Sequence, residues 1–272
     1  MKLKEKQKQM KQAATEFANG SPIELVMQKY NVCYASVYNA LKKFNIPYAY
    51  PGNRKTAFDI NFFHKIDTED KAYWLGFIFA DGCVLQTCED VSGPNRLRIA
   101  LSQKDIDHLY KFCDAIGHSH DAVHSYLRPA DSFIKEDHWI SCVNCDSVVM
   151  ARDLISHNCF PQKTYVSSFP DDVPEHLMRH FIRGYFDGDG CISGTTAGQF
   201  EITTEKVAVE RMQSILMEAC HLGRTKLRFC RNAYTLRYGG CRQLKRIYDY
   251  LYHDAHVFLD RKYDKFRSYV FT

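Results

Sequence analysis

No apolar run in this 272-residue chain approaches the ~20 residues needed to cross a bilayer as a helix, so a helical membrane span is not expected. No secretory leader is expected either: the opening KLKEKQKQMKQ is charged and no apolar core follows it. The 11 cysteines are odd in number and too scattered for a small disulfide scaffold, which points to reduced thiols in an intracellular protein. Cys142 and Cys145 with His157 and Cys159 have some look of a zinc set. A helix-like stretch over 146–157 separates the two halves of that set by more than ~15 Å, so buried thiols are the better expectation. Short-period repeats are also lacking, which excludes a solenoid.

What is present is aromatic and unevenly charged. Seventeen tyrosines and 18 phenylalanines suit large packed sheets, and equally a surface that meets a ligand. The formal net charge is +4, but residues 1–55 carry ten Lys/Arg against three Glu. Residues 224–272 carry twelve Lys/Arg against four Asp, so the middle of the chain is acidic. Basic ends around an acidic middle fit a protein that grips a polyanion and keeps carboxylates between its grips; solvated charge fits about as well.

The first ~50 residues read as a separate all-α unit. A helix runs from Lys4 to Ala18 and stops at Asn19–Gly20. Ser21 is a plausible N-cap with Pro22 at the first helical position, and a second helix runs to Tyr30. After the turn Asn31–Val32–Cys33 a third helix runs from Tyr34 to Phe44. Val32, Val37 and Leu41 should face Ile23 and Val26. This is a helix-turn-helix pattern, with Tyr34, Ser36, Asn39, Lys42 and Lys43 toward DNA. A linker over 51–66 follows.

From about residue 67 the chain reads twice through one α+β programme, as units 67–170 and 171–272. The first copy predicts strands near 83–88, 96–103, 120–128 and 137–144, with helices near 105–116 and 146–157. The second predicts strands near 191–194, 199–204, 225–231 and 233–238, with helices near 206–219 and 241–252. Each copy opens on an apolar helix ending in Asp-Gly, at Lys71–Gly82 and Phe181–Gly190. Gly76 with Ala80, and Gly184 with Gly188, put two small residues on one face of each helix, so two side-chain-poor strips can meet backbone to backbone. Asp81 and Asp189 follow at the helix ends. Two carboxylates at helix C-termini oppose the macrodipole and repel each other, and a hard divalent cation is the obvious counter-charge.

Trp74-Leu-Gly-Phe-Ile-Phe-Ala-Asp-Gly82 and Ile182-Arg-Gly-Tyr-Phe-Asp-Gly-Asp-Gly190 resemble the two signature motifs of LAGLIDADG homing endonucleases. The resemblance covers about 67–270. It implies a duplicated αββαββα domain, a pseudo-symmetric monomer with the motif helices between its halves, and double-stranded DNA as partner. It further implies that Asp81 and Asp189 bind Mg2+, with Mn2+ or Ca2+ able to substitute in binding, and that the carbonyls of Gly82 and Gly190 complete the coordination. Lys163 and Lys262 fall where the family places a basic residue near the scissile phosphates. Gln103 and Thr204 are candidates for positioning water. The sixth motif position, acidic in the namesake pattern, is Phe79 in one copy and Asp187 in the other, which fits an asymmetric target.

Period-two rows on the strands supply candidate DNA contacts: Arg96, Arg98 and Ser102; His124, Tyr126 and Arg128; Arg224, Lys226 and Arg228, with Leu227 and Phe229 turned inward; and Arg237 in the last strand. The expected activity is a metal-dependent double-strand break with short 3′ overhangs in a long site. A transcriptional regulator on a nuclease-derived fold and an RNA-splicing maturase remain open. Retention of both aspartates and both lysines argues against the first, and the extra DNA-binding unit against the second. No protein-splicing segments flank the motifs.

Overall fold

A computed structural model of the chain describes residues 2–19, 21, 23–46, 58–87, 93–130, 132, 134–161, 169–194, 198–230 and 232–271. They form two units, 1–55 and 56–272. The first contains α1 (Lys2–Ala18), α2 (Ile23–Tyr30) and α3 (Tyr34–Lys43). Ala13, Ala14 and Phe17 of α1 close with Val26 of α2 and with Val37, Ala40 and Leu41 of α3 into a small core, and Ile23 and Val32 pack at its margin. Asn31 takes a left-handed φ of 48° between α2 and α3, a conformation that asparagine tolerates better than most residues. Glu16 ties α1 to α2 by accepting from Lys29 at 2.8 Å and from the Tyr30 hydroxyl at 2.7 Å.

The second unit runs α4 (Glu69–Asp81), β1 (Gly82–Leu85), β2 (Arg96–Ser102), α5 (Ile106–Ile116), β3 (His124–Arg128), β4 (His138–Asp146) and α6 (Val148–Ser156). It then repeats the order as α7 (Met178–Asp189), β5 (Cys191–Ser193), β6 (Gln199–Thr204), α8 (Lys206–Ala219), β7 (Arg228–Cys230), β8 (Ala233–Gly239) and α9 (Cys241–Tyr252). A last helix, α10 (Asp260–Val270), follows. The four strands of each half form one antiparallel sheet, in the orders β1-β2-β4-β3 and β5-β6-β8-β7. This is the duplicated αββαββα arrangement read from the sequence.

Helix α4 has no polar side: Ala72 to Phe79 are all buried. Such a helix needs protein on every face. It finds α7 on one side and its own sheet on the other. A β-carbon on Gly76 would collide with the carbonyl of Phe181, and one on Gly184 with the carbonyl of Tyr73. The two motif helices therefore touch main chain to main chain, as the small-residue strips predicted.

Three local expectations need correction. The strand expected over 120–128 begins only at His124, because a 3-10 turn takes His120–Ala122, with the Ser119 hydroxyl accepting from the Asp121 N–H. The strand expected over 225–231 is only Arg228–Cys230, so Arg224 and Lys226 precede it. Phe229 is 63% exposed and rests against the Tyr234 ring, not turned inward. It lies on a three-residue edge strand. Gly82 and Gly190 end their helices in extended backbone, with φ values of −79° and −71°. They are glycine for want of room: a β-carbon on Gly82 would lie 2.7 Å from Ile78 Cγ2, and one on Gly190 would strike the Phe186 ring.

Candidate active site and nucleic-acid face

The contact between α4 and α7 fixes where the two acids emerge. A β-carbon on Gly188 would overlap that of Ala80 and lie 3.5 Å from the Asp81 nitrogen. The last turns of the helices thus run side by side, and Asp81 and Asp189 leave them next to one another, both exposed. Tyr185, four residues before Asp189 on α7, is buried. Burial pushes its hydroxyl well above the usual range, a hydrogen bond with Thr204 opposes this, and the negative charges of Asp189, Glu205 and Asp81 add to the rise. Tyr185 therefore stays protonated beneath a patch of negative potential.

Lys262, in the first turn of α10, does not reach outward. It is 8% exposed, and its ammonium donates to the carbonyls of Phe186 at 2.9 Å, Gly188 at 2.6 Å and Gly190 at 2.7 Å. The Phe186 carbonyl also accepts from the Gly190 N–H at 2.8 Å, so the ammonium joins a carbonyl of the last turn to those of Gly188 and Gly190 beyond it. Burial lowers the lysine's affinity for its proton, while Asp187, Asp81 and Asp189 work the other way. The repulsion between the helix-end carboxylates thus already has a resident counter-charge. One ammonium offsets only part of the charge of the two carboxylates. Lys163 lies outside the described residues.

The other acid of the second motif, Asp187, is 1% exposed. It accepts from the hydroxyls of Tyr73 and Tyr252 and from the Leu259 N–H, each at 2.8 Å. Since Tyr73 spends its proton on Asp187, its contact with His108 Nε2 at 2.9 Å is one it accepts. Arg183, wholly buried, donates to Glu69 at 2.6 Å and to the carbonyls of Leu251 and Val257 at 2.7 and 3.0 Å. Further across the two halves, Arg261 makes a two-pronged pair with Asp105, and Lys111 binds Asp260 at 2.8 Å. Sequence reading missed this polar seam, which is buried at Asp187 and Arg183 and partly exposed at Arg261 and Lys111. Its signals in the motif helix were the charged residues Arg183 and Asp187, placed among apolar neighbours that had to be buried.

Gln103 and Thr204 are not equivalent. Cys83 pairs with Arg98, and Cys191 with Glu201, so the residue matching Thr204 is Leu101 and the one matching Gln103 is Lys206. Gln103 opens a 3-10 turn after β2. Thr204 ends β6 and reaches Tyr185.

Strand register puts the basic rows of the first half on one face. Arg96, Arg98 and Ser102 pair with Asp146, Asn144 and Ile140 of β4. His124, Tyr126 and Arg128 pair with Cys142, Ile140 and His138, which places them on that same face. Leu97, Ile99 and Leu101 point the other way, into the core. Arg98 donates to the Tyr126 hydroxyl at 2.9 Å, and His124 contacts the Cys142 sulfur at 3.1 Å. Arg96 is paired with Asp146. In the second half, Arg228 shares a face with Thr235, Thr203, Glu201 and Arg237. Arg237 pairs with Glu201 at 2.8 Å. Cys142 lies on the polar face and Cys145 on the core face, which rules out their joint use. His157 is taken by Asp172 and the Phe63 carbonyl. In the first unit Ser36 is half-buried and Asn39, Lys42 and Lys43 are exposed on α3; the side chain of Tyr34 lies outside those described.

Two helices joined along their backbones, each ending in an exposed aspartate and each opening a four-stranded sheet, make the topology that the motif resemblance implies. The fold is the LAGLIDADG fold. No family model and no curated protein matches the sequence. Among solved structures, the LAGLIDADG meganuclease I-AabMI bound to uncleaved DNA is 11% identical with a TM-score of 0.47, over 72% of this chain and 87% of that one. The I-LtrWI LAGLIDADG homing endonuclease bound to target DNA is 11% identical at 0.45, over 77% and 90%. The N-terminal LAGLIDADG domain of WhiA is 14% identical at 0.41, over 74% and 89%. Activity and target follow from none of these likenesses.

Among the described residues no group of three or more His, Cys, Asp or Glu side chains could hold a metal. An ion at this site would have to be one satisfied by two carboxylates plus main-chain, water or phosphate oxygens. That all-oxygen set fits magnesium and does not suit zinc.

Proposed function

We propose that the protein is a site-specific DNA endonuclease that makes a metal-dependent double-strand break in a long target. The observation that carries this reading is the emergence of Asp81 and Asp189 side by side from two helices packed main chain to main chain. Asp81 and Asp189 would hold Mg2+, with Mn2+ or Ca2+ able to replace it in binding and the Gly82 carbonyl beside it. When bound, such an ion polarises a phosphate oxygen and makes its water a stronger nucleophile. Tyr185, kept protonated and hydrogen-bonded with Thr204, would add no negative charge beside the carboxylates. The face bearing Arg98, His124, Tyr126 and Arg128 in one half, and Arg228 and Arg237 in the other, would lie along the DNA. Arg224 and Lys226, in the segment leading into β7, would meet phosphates. Ser36, Asn39, Lys42 and Lys43 of the helix-turn-helix unit would add affinity for duplex DNA.

The test is cleavage of a randomised DNA library in magnesium by wild type, Asp81→Asn and Asp189→Asn. Wild type should cut one long site, and both variants should bind that site without cutting. A second reading, a DNA-binding regulator on the same fold, draws support from Lys262, whose ammonium has no hydrogen left for a phosphate. Enrichment of a site that wild type never cuts, in magnesium or manganese, would select that reading.

A further inference from the structure

The resemblance expects Lys262 to meet a scissile phosphate, and the geometry points to a different task. An ammonium group has three hydrogens, and those of Lys262 go to three carbonyls of one helix end, at 2.6 to 2.9 Å. The side chain is 8% exposed, so turning it outward would take a donor from the carbonyls of Gly188 and Gly190 with little solvent to replace it, while Phe186 would keep the Gly190 N–H. Two of the three carbonyls belong to Gly188 and Gly190, which flank Asp189. The charge also sits where the macrodipole of α7 is negative, the end at which a cation is favoured.

We propose that Lys262 is a positioning residue: it caps α7 from beneath, holds the main chain on both sides of Asp189, and makes no contact with DNA phosphate. Arg261, one residue earlier, is locked on Asp105 of the other half. The start of α10 therefore pins the end of α7 and the first half together. By the same geometry the Gly190 carbonyl is already engaged and is a poor partner for a metal ion. This rests on the endonuclease reading only where DNA is involved.

The experiment uses full-length wild type, Lys262→Met and Lys262→Arg. Affinity is measured in Ca2+ for the duplex recovered from the library, across a range of salt. A lost phosphate contact lowers the slope of log affinity against log salt by about 0.9. The expected result is an unchanged slope for both variants. In Lys262→Arg, which keeps the positive charge beside the carboxylates, the Mn2+ dissociation constant measured without DNA should rise about tenfold, because a guanidinium does not fit a three-carbonyl cradle. A slope lowered by about 0.9 in Lys262→Met, restored by arginine, overturns the proposal. Should neither variant fold, acylation of wild-type lysines followed by mass spectrometry decides. Lys262 should stay unmodified in the free protein at a rate that DNA leaves unchanged; ready modification that DNA suppresses overturns the idea. If wild type selects no duplex, the endonuclease reading fails, while acylation and the Mn2+ titration still decide the cap.

Discussion

Gly184 lies so close against the carbonyl of Tyr73 that no β-carbon fits between them, and the same added atom would come within 2.9 Å of the Phe77 nitrogen. Both obstacles are main chain in the middle of a helix, so neither can swing aside. Gly184→Ala should therefore cost at least about 3 kcal/mol, the upper end for overpacking, whereas Gly223→Ala should cost far less, having nothing within 4 Å of its missing β-carbon. Urea unfolding of the two variants checks this, and equal midpoints would refute the backbone-to-backbone interface.

Arg183 and Glu69 join α7 to the start of α4 at 2.6 Å, with the arginine wholly buried. Burial works against the Glu69 carboxylate, but the His256 N–H and the Arg183 charge hold it below its ordinary range. Removing one partner strands the other. Glu69→Gln should lose about 3–5 kcal/mol, and Arg183→Met with Glu69→Gln should lose less than the sum of the two single variants. Denaturant titration of the single and double variants reads this out.

Stability should fall with acid in a window set by buried histidines. Burial, aided by the charges of Lys111 and Lys262, pushes His108 down to about 3 from 6.5. Burial also lowers His180, to about 4. The folded protein keeps both neutral, whereas the unfolded chain takes up protons below pH 6.5. Their contribution is therefore complete above pH 6.5 and is lost as pH falls toward 3–4. The slope from His108 is about 1.4 kcal/mol per pH unit. Unfolding curves at pH 7.5 and 5.0 should show this loss reduced in His108→Gln; an identical pH dependence would contradict it.

Arg98 is held by the Tyr126 hydroxyl and stacks near its ring at 5.8 Å, so it is set in place before any ligand arrives. If it reads a guanine in the major groove, Arg98→Ala should relax preference at one position of one half-site by about 1–3 kcal/mol. Sequencing of the cleaved library gives the profile. Uniform weakening, with a shallower salt dependence, would make Arg98 a phosphate contact instead.

Residues 56–272 contain their own core and both motif helices. A chain beginning at Thr56 should fold, keep the cleavage pattern, and bind its target more weakly. Loss of cleavage at saturating protein would show that the first unit takes part in chemistry.

The doubling of the α+β programme, the strip of small residues on each motif helix and the two Asp-Gly ends were legible because each is a local pattern. Periodicity names the face of a helix or strand, and apolarity on all sides demands burial wherever the chain goes. Several elements, such as α8 at Lys206–Ala219 and α9 at Cys241–Tyr252, sit where that patterning put them. Orientation of long side chains was not legible. Lys262 carried the same sequence signal whether it reached for a phosphate or for three carbonyls, and only the packing of α10 beneath α7 decided between them. Phe229 had the spacing of a core residue, and only the short edge strand β7 left it outside. The seam from His108 through Tyr73 to Asp187 joins residues 35 and 114 positions apart. The sequence alone determined which surfaces had to be buried, because burial is a property of local composition. The tertiary structure decided which buried polar groups satisfy one another, because a hydrogen bond depends on ångström-scale placement of groups that chain order does not bring together.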